Sequence, residues 1–243
     1  MMQLYMVEIH PDFTALQRFV KVQGIAGRED DTELGYGIHA WLGAAFGKLA
    51  PKPWRLLMDR RRQPRILAYS PSGAEALHEQ IAAFADPCAA AVCSDPRRDI
   101  MSKAMPLLSA GRTVGFEVLC CPVVRKAGSG IEKDVFLAAA DSAPAGTLVR
   151  EAVYCEWAAA RLQEGGALVS SVQLKSFRLV RQVRQTQKDQ SNGRRFRQLR
   201  RPHAVFTGTL TVADPENFQR LLKAGVGRHR SFGYGMLLLR PLP

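Results

Sequence analysis

Four glycines, Gly225, Gly227, Gly233 and Gly235, surround Arg228, His229 and Arg230 in the stretch GVGRHRSFGYG. Glycine admits positive φ and lets a partner approach the main chain, and arginine binds oxyanions bidentately. The stretch therefore reads as a cradle for an anion, built from guanidinium groups and main-chain N–H groups. A plain helix-to-strand turn would need one or two glycines. Neither the GxxxxGK[ST] nor the GxGxxG spacing is present, so no nucleotide cofactor is implied and none is expected.

A second stretch bears on which anion this is. Residues 175–201, KSFRLVRQVRQTQKDQSNGRRFRQLRR, hold ten Lys or Arg against one acid, Asp189. They carry nine of the net +12 charges, so the basicity is local. A solvated face normally mixes signs, whereas this run is almost purely cationic and rich in arginine, which points to nucleic acid. Arg178, Arg181, Arg184 and Lys188 recur at steps of three or four, as do Arg194, Arg197 and Arg201, with Arg195 and Arg200 beside them. That spacing predicts two helical arms broken at Asn192-Gly193, forming a basic finger over 177–201. No zinc pattern, heptad run or helix-turn-helix signature accompanies it, which argues against a DNA-reading helix.

The five cysteines, Cys88, Cys93, Cys120, Cys121 and Cys155, form no CxxC pair and have no HxH nearby, and they read as buried thiols rather than zinc ligands. Carboxylate clusters able to hold two Mg²⁺ ions are not apparent in the sequence. No apolar run approaches the roughly 18–20 residues that span a bilayer. The start MMQLYMVEIHPDF has neither a basic head nor a small-residue cleavage site, so a cytoplasmic protein without a membrane partner is expected.

The elements that position these residues follow from periodicity. Residues 3–10 alternate as a strand and lead into a polar loop. Leu34, Ile38, Trp41, Leu42, Ala45 and Leu49 form a helical stripe that Asp31 or Thr32 can cap. Strands at 54–61 and 64–70 around Arg62 and Gln63, a helix at 73–85 and a strand at 100–108 complete a βαββαβ unit. The order then repeats: a strand at 113–124, a helix at 147–163, a strand at 167–177, the basic finger, a strand at 203–212, a helix at 214–225 and a strand at 234–239. The expectation is an α+β fold of two tandem ferredoxin-like halves, 1–108 and 109–243. The arginine-rich helical finger is inserted in the second, whose last helix and strand are joined by the glycine loop.

With that placement, GVGRHRSFGYGMLLLRPLP resembles the glycine-rich loop of the CRISPR-associated endoribonucleases that cut precursor CRISPR RNA within its repeats. HAVFTGTLTVADPENFQRLLKAG is similar to the strand and helix that precede that loop in the type I-E branch. The arginine-rich finger departs from that branch and is similar to the type IV version, which retains its processed RNA. The resemblance implies binding of a CRISPR repeat stem-loop, cleavage within it, and association with other effector subunits. In the type I-E branch a Tyr-x-x-His pair at the start of the first helix forms the catalytic centre, and here YGIH places Tyr36 and His39 there.

The chemistry is plausible for those two residues. Metal-free RNA cleavage needs a 2′-hydroxyl to lose a proton as it attacks phosphorus and the departing 5′-oxygen to gain one. A histidine serves either end, and Tyr36, three residues before His39, shares its helix face. The bland alternative for His39 is a partly exposed helix histidine. His229, inside the glycine loop, is the other catalytic candidate, though a phosphate contact suits it better. A non-catalytic RNA-binding subunit is the rival to the whole reading.

Overall fold

The computed structural model describes residues 3–25, 34–59, 63–125, 131–144, 146–185 and 196–242, for the backbone alone over 181–185 and 196–199. The chain divides into two compact units, Met1–Met105 with Leu179–Arg201, and Pro106–Arg178 with Pro202–Pro243.

The first unit runs β1 (Tyr5–Ile9), α1 (Phe13–Val22), α2 (Leu34–Phe46), β2 (Trp54–Leu57), β3 (Arg65–Ser70) and α3 (Ala74–Phe84). Two single-turn helices, α4 (Pro87–Ala90) and α5 (Pro96–Asp99), precede β4 (Ile100–Ala104). Its sheet has the order β2-β3-β1-β4, antiparallel throughout. Strand side chains alternate between faces, so Val7 and Ile9 point one way together with Ile66, Ala68 and Ile100. These residues are buried with Trp41, Leu42 and Phe46 of α2 and Leu77 and Ile81 of α3. Each such large side chain contributes roughly 1.5–3 kcal/mol. The Trp41 indole N–H, buried with them, donates to the Ala89 carbonyl at 3.0 Å. The face of α2 that carries this core is thereby fixed, and with it the direction of every other residue on the helix.

The polar loop expected after the first strand is instead the helix α1. The Asp12 carboxylate accepts from the N–H groups of Thr14 at 2.8 Å and Ala15 at 3.1 Å, satisfying two amides of the first turn. Leu16 and Phe19 then bury one side of the helix. Against α2 it lies close enough that a Cβ on Gly37 would stand 2.8 Å from Val20 Cγ2. The expected caps of α2, Asp31 and Thr32, lie outside the described residues, as does Arg62 of the turn before β3.

The second unit holds β5 (Thr113–Cys120), β6 (Val123–Arg125), β7 (Glu132–Asp134), α6 (Val135–Ala140) and α7 (Arg150–Glu164). It continues through β8 (Ala167–Gln185), of which 167–178 belong to this unit, β9 (Phe196–Val212), of which 202–212 do, α8 (Pro215–Ala224) and β10 (Leu237–Arg240). Its main sheet has the order β10-β5-β9-β8. Leaving aside the small β6-β7 pair, both sheets therefore place their fourth strand beside the first, the first beside the third and the third beside the second. That shared order is the tandem ferredoxin-like arrangement read from the sequence. Phe116, Val118, Phe206 and Leu210 of this sheet are buried, as are Tyr154, Ala158 and Leu162 of α7 and Phe218 and Leu222 of α8.

Among the described residues the basic finger is not helical. β8 continues unbroken from Ala167 to Gln185 and β9 begins at Phe196, so the arms of the finger are prolonged strands. Two physical causes oppose the helix: like charges at i,i+4 repel, and starting a new helix costs a nucleation step that lengthening an existing ladder avoids. Asn192-Gly193, read as a helix break, is equally the strongest short hairpin signal. It lies outside the described residues, as do Lys188, Arg194 and Arg195. The described arms therefore lack the helical form that the type IV likeness implied.

β8 and β9 approach closely at Gly208, where a Cβ would lie 2.0 Å from the Ser171 carbonyl oxygen. Gly208→Ala is expected to force the two strands apart and cost about 3 kcal/mol or more, beyond the usual overpacking penalty. Thermal unfolding should show a fall of roughly 6–12 °C; an unchanged midpoint refutes the close approach.

Candidate functional site

In the first unit, Tyr36 and His39 stand one turn apart on α2, half-buried, with ring centroids 6.4 Å apart in an edge-on arrangement. Ile38, Trp41 and Leu42 hold the helix by their burial, so the Tyr36–His39 face is set by the core beneath it. Burial disfavours the imidazolium form of His39, and the positive charge of Lys52 disfavours it further, so its pKa lies below the ordinary histidine value. Near neutral pH the ring is therefore uncharged and able to accept a proton. Lys52 sits in the connection between α2 and β2, with its N–H on the Tyr69 carbonyl at 3.1 Å and its side chain exposed. Sequence reasoning passed over it, because a lone lysine beside two prolines carries no motif.

In the second unit, Gly225, Gly227, Gly233 and Gly235 all have positive φ, between 74° and 87°. Gly227 lies under the Trp157 ring, and a Cβ on Gly235 would stand 2.5 Å from the Val226 carbonyl oxygen. The loop's own path thus requires all four glycines, and their number alone does not argue for a cradle. The Val226 N–H donates to the Gly235 carbonyl at 2.8 Å and the Gly235 N–H to the Leu119 carbonyl at 2.7 Å, tying the loop to itself and to β5.

His229 also has positive φ, 61°, the one non-glycine residue to do so among those described. Its Nε2 meets Glu132 Oε2 at 2.8 Å, and Arg228 Nε donates to Glu132 Oε1 at 2.6 Å. Glu132 is the residue the sequence reading missed. Its strand is fastened through Asp134, whose carboxylate accepts from the Phe136 N–H at 2.8 Å, Arg150 at 3.0 Å and the Tyr154 hydroxyl at 2.7 Å. Burial first, and then the Asp134 hydrogen bond, raise the Tyr154 pKa, so the phenol remains a donor.

The His229 side chain, 12% exposed, lies edge-on to Tyr234 and beside Phe232, which makes it part of the loop's interior. Arg228 remains 44% exposed. Arg230 is exposed and donates to the Ala224 carbonyl at 2.5 Å, closing the C-terminus of α8. The loop offers two outward guanidinium groups on a stiff frame.

Of the finger residues, Arg178 is exposed on β8 and Arg200 on β9. Arg181, Arg184 and Arg197 lie on the strands. Arg201, by contrast, is buried, with 8% of its surface exposed. Strands alternate with a period of two, so the three-to-four spacing of these residues does not gather them on one side. The five cysteines are free thiols, with Cys93, Cys120 and Cys121 buried and Cys88 and Cys155 half-buried. Among the described residues no group of three His, Cys, Asp or Glu is placed to hold a metal, and no helix is long and apolar enough to cross a membrane.

A family model described as CRISPR associated protein matches residues 4–241. Three solved structures share the fold. Thermus thermophilus Cse3 bound to an RNA representing a pre-cleavage complex is 20% identical with a TM-score of 0.62, over 98% of this chain and 100% of that one. A CRISPR RNA-guided surveillance complex in its pre-nicking state contains a chain 16% identical with a TM-score of 0.53, over 98% and 100%. The CRISPR-associated protein Cas6e from Escherichia coli str. K-12 is 16% identical with a TM-score of 0.50, over 99% and 100%. No curated protein matches the chain in sequence.

Proposed function

Given that the chain belongs to the CRISPR-associated protein family matched over 4–241, we propose that it is an endoribonuclease that binds a CRISPR repeat stem-loop and cuts it without metal, retaining its product. The observation that carries this reading is the half-buried His39, kept uncharged by burial and by Lys52 and set edge-on to Tyr36. The solved relative bound to a pre-cleavage RNA supports the same class of substrate.

In this reading His39 takes the proton of the 2′-hydroxyl as that oxygen attacks the adjacent phosphorus. The bond to the 5′-oxygen breaks, and Tyr36 supplies the proton that the departing oxygen needs. The products are a 2′,3′-cyclic phosphate and a 5′-hydroxyl, and the two side chains regain their starting protonation through water. Lys52, exposed beside them, offsets the negative charge that grows on the phosphoryl oxygens. A-form RNA is read mainly by shape and phosphate contacts, which suits an arginine-rich ribbon. Arg178, Arg181, Arg184, Lys188, Arg194, Arg195, Arg197 and Arg200 supply those contacts, with Arg228 and Arg230 of the glycine loop. Gly225, Gly227, Gly233, Gly235 and His229 hold the loop in shape.

Incubation with repeat RNA in excess EDTA tests the chemistry. Cleavage to a cyclic phosphate end is expected, and intact RNA in EDTA with cutting restored by Mg²⁺ refutes the metal-free route. The second reading, favoured by the relative found in a surveillance complex, is a non-catalytic subunit that holds guide RNA among effector partners. It predicts tight binding of the repeat with no cutting under any condition.

A further inference from the structure

A groove of about 650 Å³ opens in the second unit between α7 and α8, flanked by β6 and closed by the glycine loop. Trp157 and Leu221 lie in it, and Arg125, Arg161, Arg220 and Arg228 rim it with Glu164 as the acid among its lining residues. Arg161 is paired with Glu164 and Arg228 with Glu132, and Arg220 rests on the Asn217 amide oxygen at 2.5 Å near Asp214. With Arg125, the four guanidinium groups outnumber these three carboxylates, so the rim keeps a net positive charge.

The Trp157 ring is packed against Phe206 and the Gly227 backbone. It lies tilted on Phe206 with centroids 6.4 Å apart, and a Cβ on Gly227 would stand 2.9 Å from its Cη2. A packed indole among forked guanidinium groups is the arrangement that takes a base on its ring and phosphates on its rim. An amphipathic peptide helix would ask for a broad apolar floor, which this groove lacks.

We propose that the groove receives a single-stranded stretch of RNA, one base against Trp157 and the neighbouring phosphates on Arg125 and Arg220. The inference extends the reading of the chain as an RNA binder. Arg228 belongs to both the glycine loop and the groove, so a strand leaving the one enters the other without a gap.

The probe is a mixed-sequence RNA octamer without repeat sequence, titrated into the full chain while tryptophan emission is followed. Of the three tryptophans, Trp41 and Trp54 are 0% and 2% exposed, so quenching by a stacked base reports on Trp157. Saturable quenching is expected. It should disappear in Trp157→Phe and shift roughly tenfold to weaker binding in the exposed pair Arg125→Glu with Arg220→Glu. In that pair the slope of log affinity against log salt should fall by about 0.7 for each lost phosphate contact. Absence of quenching in the wild type, an unshifted titration in the charge variant, or displacement of the octamer by polyglutamate at equal charge overturns the proposal. Affinity for the bare repeat hairpin, measured alongside, is expected to change little in the charge variant. A wild type that quenches with the octamer yet ignores the hairpin sinks the proposed function and leaves the groove standing; the reverse sinks the groove alone.

Discussion

His39→Ala lowers the rate of repeat cleavage by about 10²–10⁴-fold while leaving affinity for the repeat nearly unchanged. The range is what one positioned acid–base group supplies, and the separation of rate from binding follows from where the residue sits. It is on α2, whose core contacts are made by Ile38, Trp41 and Leu42, so the loss of the imidazole leaves the helix packed. A His39→Ala protein that cuts at the wild-type rate removes His39 from the chemistry. Equal loss of binding and cutting would instead make it an RNA contact.

The pH profile of the wild type follows from the same environment. Burial and then Lys52 push the His39 pKa below 6.5, so the base form dominates at neutral pH and the rate is flat there. Below 6.5 the rate falls as the ring takes up a proton. Lys52→Gln removes a positive neighbour, so the acid limb should move to higher pH as well as the plateau falling. The stability effect has its own sign. Between the folded-state pKa and 6.5 the unfolded chain binds the proton more readily, so His39 destabilises the fold as pH drops through that window and has no such effect above it.

Replacing the eight finger cations Arg178, Arg181, Arg184, Lys188, Arg194, Arg195, Arg197 and Arg200 with glutamine is expected to produce the largest loss of affinity. A protein using six to ten phosphate contacts loses about 10³–10⁵ in affinity between 50 and 200 mM salt, and the glutamine protein should lose less than about tenfold over that range. Arg201 is excluded from the set because it is 8% exposed, and its replacement tests packing rather than RNA contact. Filter binding or anisotropy at several salt concentrations measures the slope. A slope that survives the eight replacements places the phosphate contacts elsewhere and removes the ribbon from the interface.

Local patterns in the chain were enough for the two βαββαβ units, for the Tyr36–His39 pairing and for the position of the glycine loop, because each depends on a periodicity or a spacing of a few residues. Capping chemistry was legible too, and Asp12 shows how it is overlooked: one carboxylate turns a polar segment into a helix. What tertiary structure decided are the properties set by neighbours far along the chain. The described arms of the basic finger are strands because β8 and β9 already pair at its base, a choice that arginine spacing cannot express. Glu132 reaches Arg228 and His229 across about a hundred residues and ties both into the glycine loop. His39 is uncharged at neutral pH because folding desolvates it and brings Lys52 near, and neither the dielectric around a side chain nor the distance between two charges is written in their order.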